Sequence, residues 1–446
     1  MPLMMSVSGV RGIIGESMTP GLAAELGAAF GSHLGGGRVI IGRDSRPSGD
    51  MVLSSLVGGL LSTGCSVVDL GVVTTPGTAM MIAELGGVGG IVITASHNPI
   101  QWNGIKFLTR EGYAPPPETA EQIFARYRSK DVRLVDVDHI GRLTRDDSTV
   151  SRHVARVLNT VDVPSIRKRN LKVVLDSVNG AGGAEGRKLL EDLGCTVVHV
   201  NGEPTGRFAH TPEPTAENLT GLCDDVRKHA ADIGFAQDPD ADRLAIVDNT
   251  GRYIGEEYSI VLAAKCVLSK TPGPAAVNLS TSRMIDDLAA KTGSVVHRTA
   301  VGEAHVARAI RDKHCVIGGE GNGGIIDPRV GLVRDSLVGM ALTLNLLADD
   351  PRPLSTIVDE LPRYTMVKLK YEMDRPKVDA WLAATRKMAA TSGAKLNDAD
   401  GIRLDWPEGW VHVRPSNTEP IARVISEAKD AATANALAKR IADLRS

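Results

Sequence analysis

Residues Gly90-Ile91-Val92-Ile93-Thr94-Ala95-Ser96-His97-Asn98-Pro99 form an uncharged apolar run that opens into a polar loop. The run reads as a buried strand, and Ser96 sits where that strand ends. Upstream, residues 39–42 read as a strand, 51–63 have helical apolar spacing, and 66–70 read as a strand again. The same alternation returns at 172–176, 184–193 and 196–200. A third block runs from Glu257 through a strand at 275–279 and a helix at 284–291 to a strand at 294–297. Such alternation predicts α/β layers in which helices cover mixed or parallel sheets. Three similar blocks suggest a repeated domain, without a clean sequence period.

The C-terminal part changes character. Residues 401–406, a turn at Pro407-Glu408-Gly409 and residues 410–414 predict a β-hairpin, followed by a strand at 422–426 and a helix at 431–444. This is a separate α+β domain beginning near Arg363. Other boundaries fall in polar stretches near Ser151 and Arg252, dividing the chain into 1–150, 151–252, 253–362 and 363–446. Arg145-Asp146-Asp147 fits a solvated linker before the first boundary.

A chain of 446 residues is too long for one core and suggests three or four domains. At 42% apolar and 23% charged residues it has the composition of a soluble globular protein. A net charge of −2 offers no general attraction to nucleic acid or anionic membrane. Only 3% of the chain is aromatic, which argues against stacking platforms for single strands. Cys65, Cys195, Cys223, Cys266 and Cys315 are widely separated with no C-x-x-C spacing, so reduced thiols in a cytoplasmic protein are expected. The N-terminus lacks a basic region followed by a long apolar core. The most apolar window, residues 78–94, holds Glu84 and four glycines, and reads as a helix followed by a strand, not a membrane span.

Asp238-Pro239-Asp240-Ala241-Asp242-Arg243 places three carboxylates at i, i+2 and i+4 between strand-like runs. Alternate residues of a short extended loop point the same way, so the carboxylates are expected to converge. Three like charges repel unless a cation neutralises them. All-oxygen ligation favours a hard ion such as Mg²⁺, completed by a phosphate oxygen. The plain alternative is a solvated Asp-rich turn. An EF-hand is excluded, since no glycine follows and no glutamate closes the loop. A hydroxyl at a strand end together with such a cluster suggests metal-assisted phosphoryl transfer to or from Ser96.

Ser96 has a plainer reading as a cap for the next turn. A Ser/His hydrolase is disfavoured, because adjacent side chains on an extended loop diverge and no G-x-S-x-G elbow is present. His97-Asn98-Pro99 instead fixes the shape of the loop. Arg414-Pro415-Ser416-Asn417-Thr418-Glu419-Pro420 offers a guanidinium, two hydroxyls, an amide and backbone N–H groups, which suit a phosphate monoester. Arg423 adds a second cation; an ordinary polar hairpin loop is the alternative.

Gly318-Gly319-Glu320-Gly321-Asn322-Gly323-Gly324 lets backbone approach a ligand, with Glu320 and Asn322 suited to sugar hydroxyls. It does not match a dinucleotide-binding G-x-G-x-x-G in a strand-to-helix setting. Arg11, flanked by glycines, and Lys106, just downstream of Ser96, are candidate cations for the same site; a solvated surface charge is the common alternative for each.

T-A-S-H-N-P, D-P-D-A-D-R, G-E-x-N-G and R-P-S-N-T-E-P, in this order, resemble the motifs of the α-D-phosphohexomutase superfamily. The likeness runs from the S-G-V-R-G opening at Ser8 to the C-terminal domain. The superfamily includes phosphoglucomutases, phosphomannomutases, phosphoglucosamine mutases and acetylglucosamine-phosphate mutases. The resemblance implies four domains around a central cleft, three of α/β type with mixed sheets and a smaller α+β fourth. It implies that Ser96 is a phosphoserine and that Asp238, Asp240 and Asp242 hold Mg²⁺ with a phosphoserine oxygen. Arg243 would lie beside the phosphoserine, Glu320 and Asn322 would read sugar hydroxyls, and Arg414, Ser416, Asn417 and Thr418 would grip the other phosphate, with Arg423 nearby. Lys106 matches a lysine implicated as acid/base and Arg11 one that supports the phosphoserine; His97 joins the catalytic set.

The implied reaction interconverts hexose 6-phosphate and hexose 1-phosphate through a hexose 1,6-bisphosphate, which also serves as activator. The implied partner is a small phosphosugar, with no nucleic acid or membrane, and the protein is expected as monomer or homodimer. Many relatives carry a serine and a histidine where this chain has Asn322 and Gly324; His305 is a substitute or a helix-surface residue. The asparagine and the S-G-V-R-G opening point to an amino sugar, glucosamine phosphate. The alternatives are a phosphoglucomutase/phosphomannomutase and, from a different class, a phosphosugar-binding protein that has lost catalysis.

Overall fold

A computed structural model describes residues 3–7, 9–416 and 421–445. Its backbone forms four sheets. The first has seven strands in the order Met4–Ser6, Gly9–Ile13, Trp102–Leu108, Gly89–Ile93, Gly37–Arg43, Cys65–Val72, Leu143–Arg145. Gly89–Ile93 runs parallel to Gly37–Arg43 and antiparallel to Trp102–Leu108, so the sheet is mixed. Gly89–Ile93 is buried at every position, as a strand covered on both faces must be. The helix before it, Thr75–Glu84, begins with Thr74 accepting from the Gly77 N–H and carries a proline in its first turn.

The second sheet orders Leu244–Asp248, Ile233–Gln237, Lys172–Asp176, Thr196–Val200; the third orders Val296–Thr299, Ala275–Asn278, Ile317–Glu320, Gly324–Ile326. Each is parallel except for one antiparallel strand at an edge, Leu244–Asp248 in the second and Gly324–Ile326 in the third. The fourth sheet is wholly antiparallel, in the order Thr365–Glu372, Ile421–Ala428, Gly409–Pro415, Ile402–Asp405, Lys395–Asn397.

This topology explains where the motifs lie. In each of the first three sheets a strand parallel to its neighbour ends, turns and returns antiparallel. Those turns are 94–101, 238–243 and 321–323, and the corresponding hairpin turn of the fourth sheet contains Ser416. The carboxyl ends of sheet strands are where open α/β sheets gather ligands.

Element boundaries differ from the sequence reading by a few residues. The helix expected at 51–63 spans Gly49–Leu61, and Gly64 beyond it takes φ +83 to turn the chain. The strand expected at 294–297 begins two residues later, at Val296–Thr299, because the Ser294 N–H is donated to the Ala289 carbonyl at the end of the preceding helix.

Packing does not follow the sheets one for one. Apolar side chains of the second and third sheets, Phe235 and Val277 among them, form one continuous core in which Leu244 and Ile325 meet the buried helix Ser336–Asp349. The fourth sheet has a core of its own, and the first has two clusters, one of which reaches Val333 of the third domain.

A buried ionic junction ties the first three sheets together. His153 Nδ1 lies 2.5 Å from Glu185 Oε2 and Nε2 lies 2.7 Å from Asp335 Oδ2. Glu185 also accepts from the N–H and hydroxyl of Thr74, while Asp335 caps the helix Ser336–Asp349. Burial alone would push the imidazole pKa down; Asp335 and Glu185 outweigh it and raise it to about 10. The folded protein therefore keeps this proton above pH 6.5, where an unfolded histidine loses it. Its contribution to stability is full below pH 6.5 and is lost as pH rises through about 10. His153→Ala leaves two buried carboxylates without their cation and should cost about 3–5 kcal/mol. Urea denaturation checks this, and the wild-type loss of stability between neutral and alkaline pH should flatten in the variant.

Candidate active site

Ser96 is set by a buried scaffold beneath its loop. Thr94 donates its hydroxyl to Asp44 Oδ2 at 2.6 Å and accepts the Ser96 N–H at 2.9 Å. Arg46, itself paired with Asp44, donates to the carbonyls of Ser96 at 2.7 Å, Asn98 at 2.6 Å and Pro99 at 2.8 Å. These bonds hold Ser96 at φ +50, in the left-handed region that a serine seldom occupies. The left-handed turn overrides the divergence expected of an extended loop: Ser96 Oγ lies 3.4 Å from His97 Nδ1. On its other side the Ser96 hydroxyl donates to Asp238 Oδ2 at 3.0 Å, 142 residues away in sequence.

The three aspartates do converge, by a different route from strand-like alternation. Asp238 O accepts the Ala241 N–H and Ala241 takes φ +56, so the loop folds into a tight turn. One oxygen from each of Asp238, Asp240 and Asp242 lies within 4.8 Å of the others, and all three residues are buried. Burial and the two neighbouring carboxylates raise the Asp238 pKa well above its ordinary value. Burial would raise Asp242 too, but Arg334, Lys106 and Arg243 outweigh it and hold this carboxylate below the usual range. Lys106 Nζ donates to Asp240 Oδ2 at 2.6 Å and lies 3.5 Å from Asp242 Oδ2. Against burial, these two aspartates raise its pKa and keep it charged. Thr75, from the first sheet's helix, donates its hydroxyl to Asp240 Oδ2 at 2.6 Å.

Arg11 donates to Asn98 Oδ1 at 2.9 Å, steadying the serine loop. Arg243 donates its backbone N–H to Asp238 Oδ1 at 3.2 Å, with its Nε 3.9 Å from Asp242 Oδ1. His97 Nε2 faces Glu213 Oε1 at 3.8 Å, and burial near Arg243 and Arg11 pushes the imidazole pKa to about 2. His97 is thus neutral across the physiological range.

Glu320 is fully engaged. It accepts from Asn278 Nδ2 at 2.8 Å, the Gly302 N–H at 3.1 Å and Arg334 Nη1 at 2.9 Å. In the fourth domain Arg414 and Arg423 are direct cross-strand partners. Two like charges so paired are costly without an anion between or beside them. Asp400 supplies one at Arg414, with Oδ2 2.8 Å from Arg414 Nε while also accepting the Val301 N–H. The Ser416 N–H closes the hairpin on the Ile421 carbonyl. Asn417 and Thr418 lie outside the described residues.

Among the described residues, eight buried side-chain polar atoms lack a hydrogen-bond partner, and five belong to this cleft: Asp240 Oδ1, Asp242 Oδ1, Arg243 Nε, Asn322 Oδ1 and Arg334 Nε. Orphaned polar atoms are rare in folded proteins, and their concentration here marks room for a ligand. Two free carboxylate oxygens beside a third buried carboxylate fit a hard divalent cation. A free guanidinium N–H beside them fits an anionic oxygen.

Sequence reasoning missed several of these groups. Arg46 and Asp44 stand at the end of a buried strand, in Arg43-Asp44-Ser45-Arg46, and that charge run was a usable signal. Thr75, Glu213 and Arg334 carry no local signature; only tertiary folding brings them to the cleft.

The chain matches the four successive parts of one family description. These are phosphoglucomutase/phosphomannomutase alpha/beta/alpha domain I over residues 3–133, domain II over 151–251, domain III over 255–364 and the C-terminal domain over 367–444. A phosphoglucomutase/phosphomannomutase of Thermococcus kodakarensis is 41% identical over 94% of this chain and 93% of its own. A probable phosphoglucosamine mutase of Methanopyrus kandleri is 38% identical over 98% of this chain and 96% of its own. The crystal structure of a phosphoglucomutase/phosphomannomutase family protein from Burkholderia thailandensis superimposes with a TM-score of 0.88 at 28% identity, covering 99% of this chain and 97% of that one. With the turns of its first three sheets joined through Ser96–Asp238 and through Arg334 to Asp242 and Glu320, and its length matched from residue 3 to 444, the chain belongs to the phosphoglucomutase/phosphomannomutase family of the α-D-phosphohexomutases.

Proposed function

We propose that the protein interconverts hexose 6-phosphate and hexose 1-phosphate, with glucosamine phosphate as the preferred sugar and Ser96 as the phosphate carrier. One observation carries this reading: the buried Ser96 hydroxyl bonded to Asp238 at 3.0 Å, within a trio of converging carboxylates. A hydroxyl needed only for capping would not face three buried acids.

Phosphoserine 96 gives its phosphoryl group to the free hydroxyl of a hexose monophosphate. The bond from phosphorus to Oγ breaks, a bond to the sugar oxygen forms, and a bisphosphorylated sugar results. That intermediate turns over and returns its other phosphoryl group to Ser96. Charged Lys106 gives a proton to Oγ as the phosphoryl group leaves and is reloaded by the proton of the attacking hydroxyl; neutral His97, a weak base beside Oγ, orients the serine. Arg11 and Arg243 offset charge on the transferring group. Asp238, Asp240 and Asp242 would hold Mg²⁺, which supplies further charge neutralisation when bound. Arg414, Ser416, Asn417, Thr418 and Arg423 would grip the phosphate not being transferred, and Glu320 and Asn322 would face the sugar.

The amino-sugar preference draws on the unpartnered Asn322 Oδ1, since an ammonium group is donor-only and needs such acceptors. The name of the Methanopyrus kandleri relative points the same way. Five unpaired thiols suit a cytoplasmic setting. Among the described residues, no helix is long and apolar enough to cross a membrane.

Comparing turnover of glucosamine, glucose and mannose 6-phosphates at matched concentration, with Mg²⁺ and a catalytic amount of the matching bisphosphate, tests the reading. Glucosamine phosphate should lead by about tenfold or more, the scale set by one well-placed polar contact. Equal use of glucose and mannose phosphates would favour the dual-specificity alternative. Turnover of none, with no phosphate on Ser96 by intact mass, would favour a binding protein.

A further inference from the structure

Arg334 precedes the capping residue of the helix Ser336–Asp349 in the third domain, yet its side chain reaches the metal-type loop of the second. Its guanidinium bonds Asp242 Oδ2 through Nη2 and Glu320 Oε2 through Nη1 at 2.9 Å. Its Nε lies 2.9 Å from Glu303 Oε2 and is out of line for a hydrogen bond. One buried cation thus binds carboxylates from three separate elements.

The space it uses is made by a missing side chain. A Cβ placed on Gly324 would stand 2.2 Å from Arg334 Cδ and 2.8 Å from Cγ. The glycine has no Cβ so that the arginine stem can lie over it on its way to Asp242. The same imaginary Cβ would be 3.2 Å from the unpartnered Asn322 Oδ1, so the stem passes the sugar-type loop closely.

We propose that Arg334 is a positioning residue that joins the cation site to the sugar site. The inference rests on the mutase reading above. By fixing Asp242 Oδ2, it leaves Oδ1, the unpartnered oxygen, to face the cation. By fixing Glu320 Oε2, it leaves Oε1 shared with Asn278 and the Gly302 N–H at the edge of the sugar loop. One side chain sets both carboxylates, so a substitution there is felt at both ligands.

Mg²⁺ and glucosamine 6-phosphate binding are measured separately, by thermal shift with Mg²⁺ alone and by calorimetry with the sugar phosphate, alongside KM and kcat. Arg334→Met should raise the half-saturating Mg²⁺ concentration and the sugar-phosphate Kd together, each by about tenfold or more, as removal of an outer partner of a metal ligand does. Arg334→Lys keeps the charge but reaches only one carboxylate, so it should rescue one constant at most. Gly324→Ala should reproduce Arg334→Met by displacing the stem, and should add nothing in an Arg334→Met background.

Should Arg334→Met unfold the protein, Gly324→Ala and Arg334→Lys carry the same reading with the cation retained. Mg²⁺ and sugar constants that stay within twofold of wild type in the soluble variants would overturn the proposal, as would additive effects of the two substitutions. Absence of turnover by the wild type on every hexose phosphate would instead sink the mutase reading. The Mg²⁺ thermal shift would still report on Arg334 in that case.

Discussion

Ser96→Ala is expected to abolish interconversion of hexose 1- and 6-phosphates, a fall on the order of 10⁴-fold or more, as for loss of a covalent carrier in other enzymes. The expectation rests on position. Ser96 Oγ is bonded to Asp238 and lies beside His97, while Arg46 fixes the loop through carbonyls that do not depend on the hydroxyl. The variant should therefore fold normally, since only the two hydroxyl contacts to Asp238 and His97 are lost and Asp238 already has a raised pKa. Intact mass should show one phosphate on active wild-type protein and none on the variant. Full turnover by Ser96→Ala would refute the assignment of the carrier.

Asp240→Asn should produce the second large effect, a fall in kcat/KM of about 10³-fold, equivalent to about 4 kcal/mol of transition-state stabilisation. Asp240 does two things in the cleft. Its Oδ2 receives Lys106 and Thr75, both at 2.6 Å, and its Oδ1 has no partner and is free for a cation. The amide retains the shape but removes a charge, so Mg²⁺ binding weakens and Lys106 loses its strongest anchor. Half-saturating Mg²⁺ should rise in step with the loss of rate. Stability without Mg²⁺ should fall, because buried Lys106 keeps only its 3.5 Å contact with Asp242. Unchanged kinetics at limiting Mg²⁺ would contradict the metal assignment.

The cleft was readable in sequence wherever its chemistry is local. Asp238, Asp240 and Asp242 fall within five residues, and Arg414 and Ser416 within three, so their proximity needs no knowledge of the fold. Lys172–Asp176 and Thr196–Val200 match the strands read from apolar runs, because short valine-rich segments bounded by turns leave little choice of element. What escaped depends on groups far apart in the chain. Thr75 and Asp240 are 165 residues apart, and Arg334 and Asp242 are 92. The left-handed conformation of Ser96 was equally hidden. Serine does not favour it, and it exists because Arg46 draws in carbonyls on both sides of the loop.

The apolar interior common to the second and third sheets also governs how the chain comes apart. A fragment ending at Arg252 would expose Phe235, Leu244 and Ile246, which ordinarily share one apolar core with the helix Ser336–Asp349. Residues 151–362 should therefore melt in a single calorimetric transition and resist expression in halves, while the C-terminal domain, with its separate interior, is able to melt independently. By sheets the molecule counts four; fewer melting units than sheets are expected.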